Sequence, residues 1–556
     1  LVFSLSGCTL LQLLLSMNMH TSTRFDDISY TEYNMTYFDA LCADIRDMLA
    51  DKTSETTVMS KFSTLYREVN DIYTMYALAT IYNAQDVTDA QYQADYLKAY
   101  ETATDAQNKA ATLGHEIVTS YCAEYAKTFL GEMNYQYYLD YQEQSEALTT
   151  LLSEEQTLIA KYNSSAAGSF GTIINAQEVT FENYYTLGLS EQEQTQALTE
   201  LYRQKNAVLA PIYGELVELR GEILDESGYD SYADFCYDTV FFRDYTNDDT
   251  SKVYESVREY CVPLLEKLSS SYTVDEYASF YYAASDWSDD MLFNKVGSKF
   301  DNVVDGMSDA LGFMKKYGYY SLEYSETKMD ASFTTMLYSY NAPYMFIQPS
   351  GSTYDVFTFV HEFGHYNAMY TNPSANVDMD TTEVFSTGLE LLYMKNYNTV
   401  FGNTVYKTAE KLILEDMLRT TIMGCLIDEF ESTVYEENIT DTHKLNELMA
   451  TLYNEYGLTD SSQEVTELYS WVDVVHLYLY PFYYISYAAS TVTSLDLWLQ
   501  SLDNYNSAVR KYESIINETG ENSFTQIMET LDVLTIFDED AMKSLTERIK
   551  AYAFTE

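Results

Sequence analysis

The chain has 556 residues, with 86 acidic against 31 basic, for a formal net charge of −55. That length exceeds what one simple hydrophobic core organises, and that charge excludes nucleic acid or an anionic membrane surface as a natural direct partner. Six cysteines, at positions 8, 42, 122, 236, 261 and 425, form no CxxC pair, which excludes a dense disulfide framework.

At the start, LSGC at Leu5 to Cys8 follows an apolar run and resembles the lipobox at which bacterial lipoproteins are cleaved and lipidated. It predicts a lipid anchor through Cys8 and an extracytoplasmic, membrane-anchored protein, with a cytoplasmic enzyme as the alternative. Residues 1–26 are read as this leader and its tether. No later segment offers the ~18 uninterrupted apolar residues of a membrane span. From Tyr37 to Lys52, Leu41, Ile45, Met48 and Leu49 lie on one stripe of an amphipathic helix. The Ala-, Glu-, Gln- and Leu-rich segment from Asp86 to Tyr162 predicts further helices with a break near Gly114. A small Ser, Ala and Gly loop follows at Asn163 to Gly171. Ser190 with Glu193 forms a capping box ahead of Ala197, Leu198 and Leu201. The first of six prolines is Pro211, so the commonest helix breaker is absent from the preceding region. These features define a helical region over 27–205, followed by a second region over 206–556. The 56 tyrosines read as half-buried amphipathic packing residues.

From Ala331 the pattern changes. Phe333, Thr335 and Leu337 alternate in strand fashion, Asn341-Ala342-Pro343 turns, and Tyr344 to Ile347 runs apolar, which predicts a short hairpin. Its edge, taken as the strand around Tyr344 to Ile347, offers backbone for an extended peptide to pair with. Next comes a helix over 353–370, announced by Ser352 and Asp355, with Val356, Phe359, Val360, Phe363 and Gly364 on its packing face. It holds His361, Glu362 and His365 as HExxH. Two imidazoles four residues apart share one helix face and converge on one ion, while the Glu between them sits beside the water that the ion activates. Catalytic zinc takes three protein ligands. Glu383, 22 residues after His361 and expected in the first turn of a returning helix, is read as the third. Glu390, two turns on, is read as acceptor of a free imidazole N–H, and an exchange of the two roles is the alternative. Asp378 and Asp380 fall at the loop and cap, where Asp is ordinarily found. The expectation is one zinc per chain.

HEFGH, the run EVFST at Glu383 to Thr387, and HLYLYPFYYISYA at His476 to Ala488 resemble the thimet oligopeptidase and oligoendopeptidase F family of zinc peptidases, M3. Phe25 to Tyr33, Gly228 to Tyr245 and Ala342 to Pro349 are similar to bacterial members as well. The resemblance implies a mainly α fold whose two halves flank a deep channel with the metal at its floor. It implies Glu383 as the third ligand, and a downstream His and Tyr pair that contacts the reacting carbonyl. His476 matches that His. Tyr483, Tyr484 and Tyr487 compete for the other role, with Tyr484 and Tyr487 favoured. The implied reaction is hydrolysis of internal bonds of short unstructured peptides, with Glu362 as general base. Two alternatives are a zinc carboxypeptidase on a similar helical HExxH fold, though no Arg stands close to the motifs to hold a terminal carboxylate, and a non-catalytic peptide-binding lipoprotein.

Overall fold

A computed structural model describes residues 19–554 except 142–144, 284–290, 374–376, 459–467, 519, 521 and 539. Cys8 and the whole LSGC motif lie outside the described residues. The fold is mainly α, as the sequence implies. Strands are short: β1 (Thr172–Ile174) and β2 (Gln177–Val179) form a hairpin, while β3 (Tyr320–Ser321), β4 (Ser332–Leu337) and β5 (Ala342–Ile347) form a sheet in the order β3-β5-β4. Among the described residues, no helix is long and apolar enough to cross a membrane.

The chain divides into two compact units that interleave along the sequence. The first comprises Leu1–Glu143, Ser270–Leu414 and Thr493–Val533, and the second Gln144–Ser269, Glu415–Val492 and Leu534–Glu556.

In the first unit, helices Thr36–Ala50, Glu55–Gln85, Ala90–Val118, Ala123–Leu130 and Glu132–Asp140 enclose an apolar core of Phe38, Leu41, Ile45, Phe62, Leu65 and their neighbours. Leu41 and Ile45 of the expected stripe are buried, while Met48 and Leu49 are half-buried at its margin. The break expected at Gly114 is absent. Gly114 lies inside helix Ala90–Val118, and a Cβ there would fall within the ring of Tyr138. The glycine serves close helix packing instead, and the chain breaks at Thr119 to Cys122. A second correction concerns the sheet. β5 is its central strand, antiparallel to β4 from Ser332↔Ile347 to Leu337↔Ala342 and parallel to β3 through Tyr320↔Met345. Its backbone is therefore engaged by β4 along its length and by β3 at Met345 and Phe346, and the edge strands are β4 and the two-residue β3. The turn between β4 and β5 closes through Asn341 at φ +47°, a left-handed conformation that Asn tolerates.

The second unit contains helices Glu146–Ala166 and Glu191–Ser227. The capping box forms as expected, with Ser190 N–H donating to Glu193 Oε2 at 2.8 Å. The helix then continues through Pro211. The first of these helices extends to Ala166, so the loop expected from Asn163 is shorter.

The tyrosines pack more deeply than amphipathic half-burial suggests. Tyr66, Tyr138, Tyr213, Tyr319, Tyr344 and Tyr393 are among the largest fully buried side chains. Burial is tolerated where the hydroxyl finds an acceptor. Tyr319 donates to Thr23 O at 3.0 Å and Tyr393 to Val296 O at 2.8 Å.

Candidate metal centre

The HExxH helix spans Tyr354–Thr371. Its start is fixed by reach-back rather than by a side-chain cap: the Asp355 carboxylate accepts from Ser350 N–H at 2.7 Å and Gly351 N–H at 2.9 Å, with Gly351 at φ +75°. The returning helix spans Met379–Tyr393, and Asp378 is its N-cap, accepting from Thr381 N–H at 2.8 Å. Glu383 is its fifth residue and so lies in the second turn rather than the expected first.

The two helices touch at Gly364. A Cβ on it would lie 2.6 Å from Ser386 Cα and closer still to the Phe385 carbonyl. This absence of a side chain lets the backbones approach and carries Glu383 to the histidines. The approach is braced from behind, where Tyr512 donates to Phe385 O at 2.5 Å and Thr387 shares a 2.7 Å hydrogen bond with Ser494.

The result is one cluster, with His365 and Glu383 buried and His361 partly exposed. Glu383 Oε2 lies 3.7 Å from His361 Nε2 and 3.7 Å from His365 Nε2. Bonds of ~2.0–2.2 Å to a tetrahedral zinc place its ligand atoms roughly 3.3–3.5 Å apart, so Glu383 Oε2 needs only a small shift toward each imidazole. The donor set of His, His and Glu, all within 4.8 Å of one another, fits a metal ion. Glu390 stands where the returning helix brings it two turns on: His361 Nδ1–H donates to its Oε1 at 2.8 Å, which leaves Nε2 for an ion. Glu362, Glu383 and Glu390 are all buried. Burying three carboxylates together is costly unless cations compensate them, and a divalent ion would supply that charge.

The electrostatics follow. Burial disfavours a charged His361, but the hydrogen bond to Glu390 and the charges of Glu390, Glu383 and Glu362 outweigh it and push its pKa up to about 9. Burial pushes the Glu390 carboxyl upward, against the pull of His361. Two further side chains reach these carboxylates, and the sequence reading missed both. Ser386 Oγ lies 3.3 Å from Glu383 Oε2, and Thr334 Oγ1 donates to Glu362 Oε2 at 2.8 Å. The spacing signal placed Thr335, not Thr334, on the patterned face of the strand.

His476 and the candidate tyrosines belong to the second unit, where they form a cluster of their own. His476 lies on the short helix Val475–Leu479, and helix Tyr484–Ile516 begins five residues later. Ring centroids of His476 lie 4.8 Å from Tyr483, 5.1 Å from Tyr484 and 5.8 Å from Tyr487, and Tyr487 Oη is 3.5 Å from His476 Nε2. Tyr483 is buried, whereas Tyr484 and Tyr487 keep part of their surface exposed. Burial, then the charge of Glu431, pushes the Tyr484 phenol up to about 12, so it remains a donor at neutral pH.

What holds this segment comes from far along the chain. Arg220, fully buried, donates to Glu155 Oε1 at 2.6 Å, Tyr435 Oη at 2.8 Å, Leu477 O at 3.0 Å and Tyr478 O at 2.5 Å. Glu431 Oε2 accepts from Phe482 N–H at 2.9 Å, and Phe482 is held at φ +64°. Arg243 Nη2 donates to Ser486 Oγ at 2.8 Å. Glu155, Arg220, Glu431 and Tyr435 lie in none of the stretches that carry the resemblance.

The family model of peptidase family M3 matches residues 136–531. Solved structures with the same fold include two proteins named as putative oligoendopeptidase F, the second from Bacillus anthracis. The first is 19% identical with a TM-score of 0.81 and covers 96% of this chain and 99% of its own. The second is also 19% identical, with a TM-score of 0.78 over 96% and 98%. PZ peptidase A, bound to an inhibitor, is 19% identical with a TM-score of 0.79 over 95% and 99%. No curated protein matches the sequence significantly.

Proposed function

The chain belongs to peptidase family M3, and from that premise we propose that it is a zinc oligopeptidase that cuts internal bonds of short, unstructured peptides. The observation that carries the reading is the convergent set of partly exposed His361 with buried His365 and Glu383, with Glu390 fixing the tautomer of His361. In this reading His361 Nε2, His365 Nε2 and Glu383 Oε2 hold one zinc. When bound, zinc supplies Lewis acidity that polarises a carbonyl and makes water nucleophilic near neutral pH.

The remaining steps belong to the protein. Glu362 accepts the proton of the attacking water and returns it to the leaving amine. Its carboxylate is buried, which keeps it in place for both transfers. His476 and the hydroxyl of Tyr484 or Tyr487 are proposed as donors to the oxyanion, on the family pattern and on their mutual contacts. An extended peptide adds to the β4 edge through its backbone, which gives affinity with little dependence on side chains.

The test is a ladder of end-blocked peptides of rising length, run beside a stably folded protein. Internal cleavage of blocked peptides separates an endopeptidase from a carboxypeptidase, which needs a free terminus. Short peptides should be cut fastest, because a folded chain must first unfold at a cost of about 5–15 kcal/mol. Cleavage of the folded protein at the rate of the short peptides would contradict the restriction to oligopeptides.

A further inference from the structure

Thr334 is 1% exposed and sits in the middle of the edge strand β4, paired across to Met345 of β5. Its position is set on both sides. The preceding Phe333 stacks on Phe346 with centroids 4.8 Å apart, and the strand pairs with β5 along its whole length. From this fixed point Oγ1 reaches across to the HExxH helix, lying 2.8 Å from Glu362 Oε2 and 3.1 Å from the Glu362 carbonyl oxygen. A glutamate has three side-chain torsions, and a buried carboxylate can present either oxygen unless one is engaged. A threonine hydroxyl supplies one proton, and here the nearer acceptor is the carboxylate.

We propose that Thr334 is a positioning residue for the peptidase reaction: its hydroxyl engages Oε2 of Glu362 and leaves Oε1 as the oxygen presented to the attacking water. The proposal rests on the reading of Glu362 as general base. The Thr334 side chain acts through the carboxylate it engages, whereas any pairing of β4 with a peptide runs through the strand's backbone. Its β-branched shape suits the strand, so the hydroxyl is the part with no structural substitute. Removing it leaves a buried carboxylate oxygen short of a donor and the side chain free to turn.

The experiment compares Thr334→Val and Thr334→Ser in the purified, metal-loaded enzyme on a quenched end-blocked peptide. Val keeps the shape and deletes the hydroxyl. It should lower kcat about 10–100-fold, the value of a hydrogen bond to a charged group, with KM and metal content unchanged. Ser should recover most of the rate. Both variants are then measured by single turnover in a Glu362→Gln background, where the positioning role predicts no further loss. A KM effect alone, no rescue by Ser, or the same fold loss in the Glu362→Gln background would overturn the proposal. Wild-type rate from Glu362→Gln itself would instead remove the general-base reading, and the proposal with it.

Discussion

The metal cluster of the first unit and the His476 cluster of the second are both short stretches rich in His and acceptors, but different things hold them. The candidate metal ligands sit on two regular helices, so their placement follows from the four-residue spacing and from one close approach at Gly364. His476 sits on a five-residue helix followed by a left-handed Phe482, and regular geometry does not hold that segment. Buried charges do: Arg220 grips two consecutive carbonyls and Glu431 grips an N–H. A site on regular helices is specified locally, whereas a site on irregular backbone is specified by distant residues.

The largest expected effect lies on the local side of this contrast. Glu362→Gln should retain metal and fold yet lose about 10²–10⁴ in turnover, since an amide accepts no proton from water. Metal analysis beside kcat checks it, and near wild-type turnover would remove Glu362 as base. On the distant side, Arg220→Met should lower stability by about 3–5 kcal/mol, because it strands Glu155 and frees two carbonyls in a buried site. Denaturant titration measures this, and the zinc content of the folded fraction should not change. If Arg220→Met released zinc while leaving stability intact, the two regions would not be separable in this way.

Gly364→Ala sharpens the comparison from within the metal region. The added methyl meets backbone rather than a flexible side chain, so about 1–3 kcal/mol of stability should be lost together with zinc affinity. Thermal melts with and without chelator read both. Glu390→Gln is milder, a 10–100-fold loss of metal affinity being usual for such a partner, and it also isolates a pH effect. In chelator-treated protein His361 has its pKa raised to about 9 against an ordinary ~6.5. The attraction between His361 and Glu390 is therefore fully stabilising below about pH 6.5 and is lost as pH rises through about 9. The Tm gap between chelated wild type and chelated Glu390→Gln should narrow over that window. A gap that widened with pH would mean the sign is wrong.

The same contrast explains what the sequence disclosed. The HExxH helix, the returning helix with Glu383 and Glu390, the capping box at Ser190 and the β4–β5 hairpin were legible because each is a periodic or turn signal confined to a few residues. Gly114 misled because a glycine that permits helix contact looks the same in sequence as one that ends a helix. The strand around Tyr344 reads as an edge in sequence because nothing near it announces β3, a two-residue parallel partner. Thr334, Ser386, Arg220 and Glu431 were invisible for a common reason: each acts on a residue that only the folded chain brings near, or, for Ser386, through one hydroxyl in a run where serine is unremarkable.

The central claim is that His361, His365 and Glu383 together hold one metal ion. The most direct test is the metal content of the protein purified without added ions, measured beside Glu383→Ala. The account predicts one zinc per chain in the wild type and a loss of most of it in the variant, with the helical signal retained. Undiminished zinc in Glu383→Ala would contradict the ligand set, and with it the placement of the active site on these two helices.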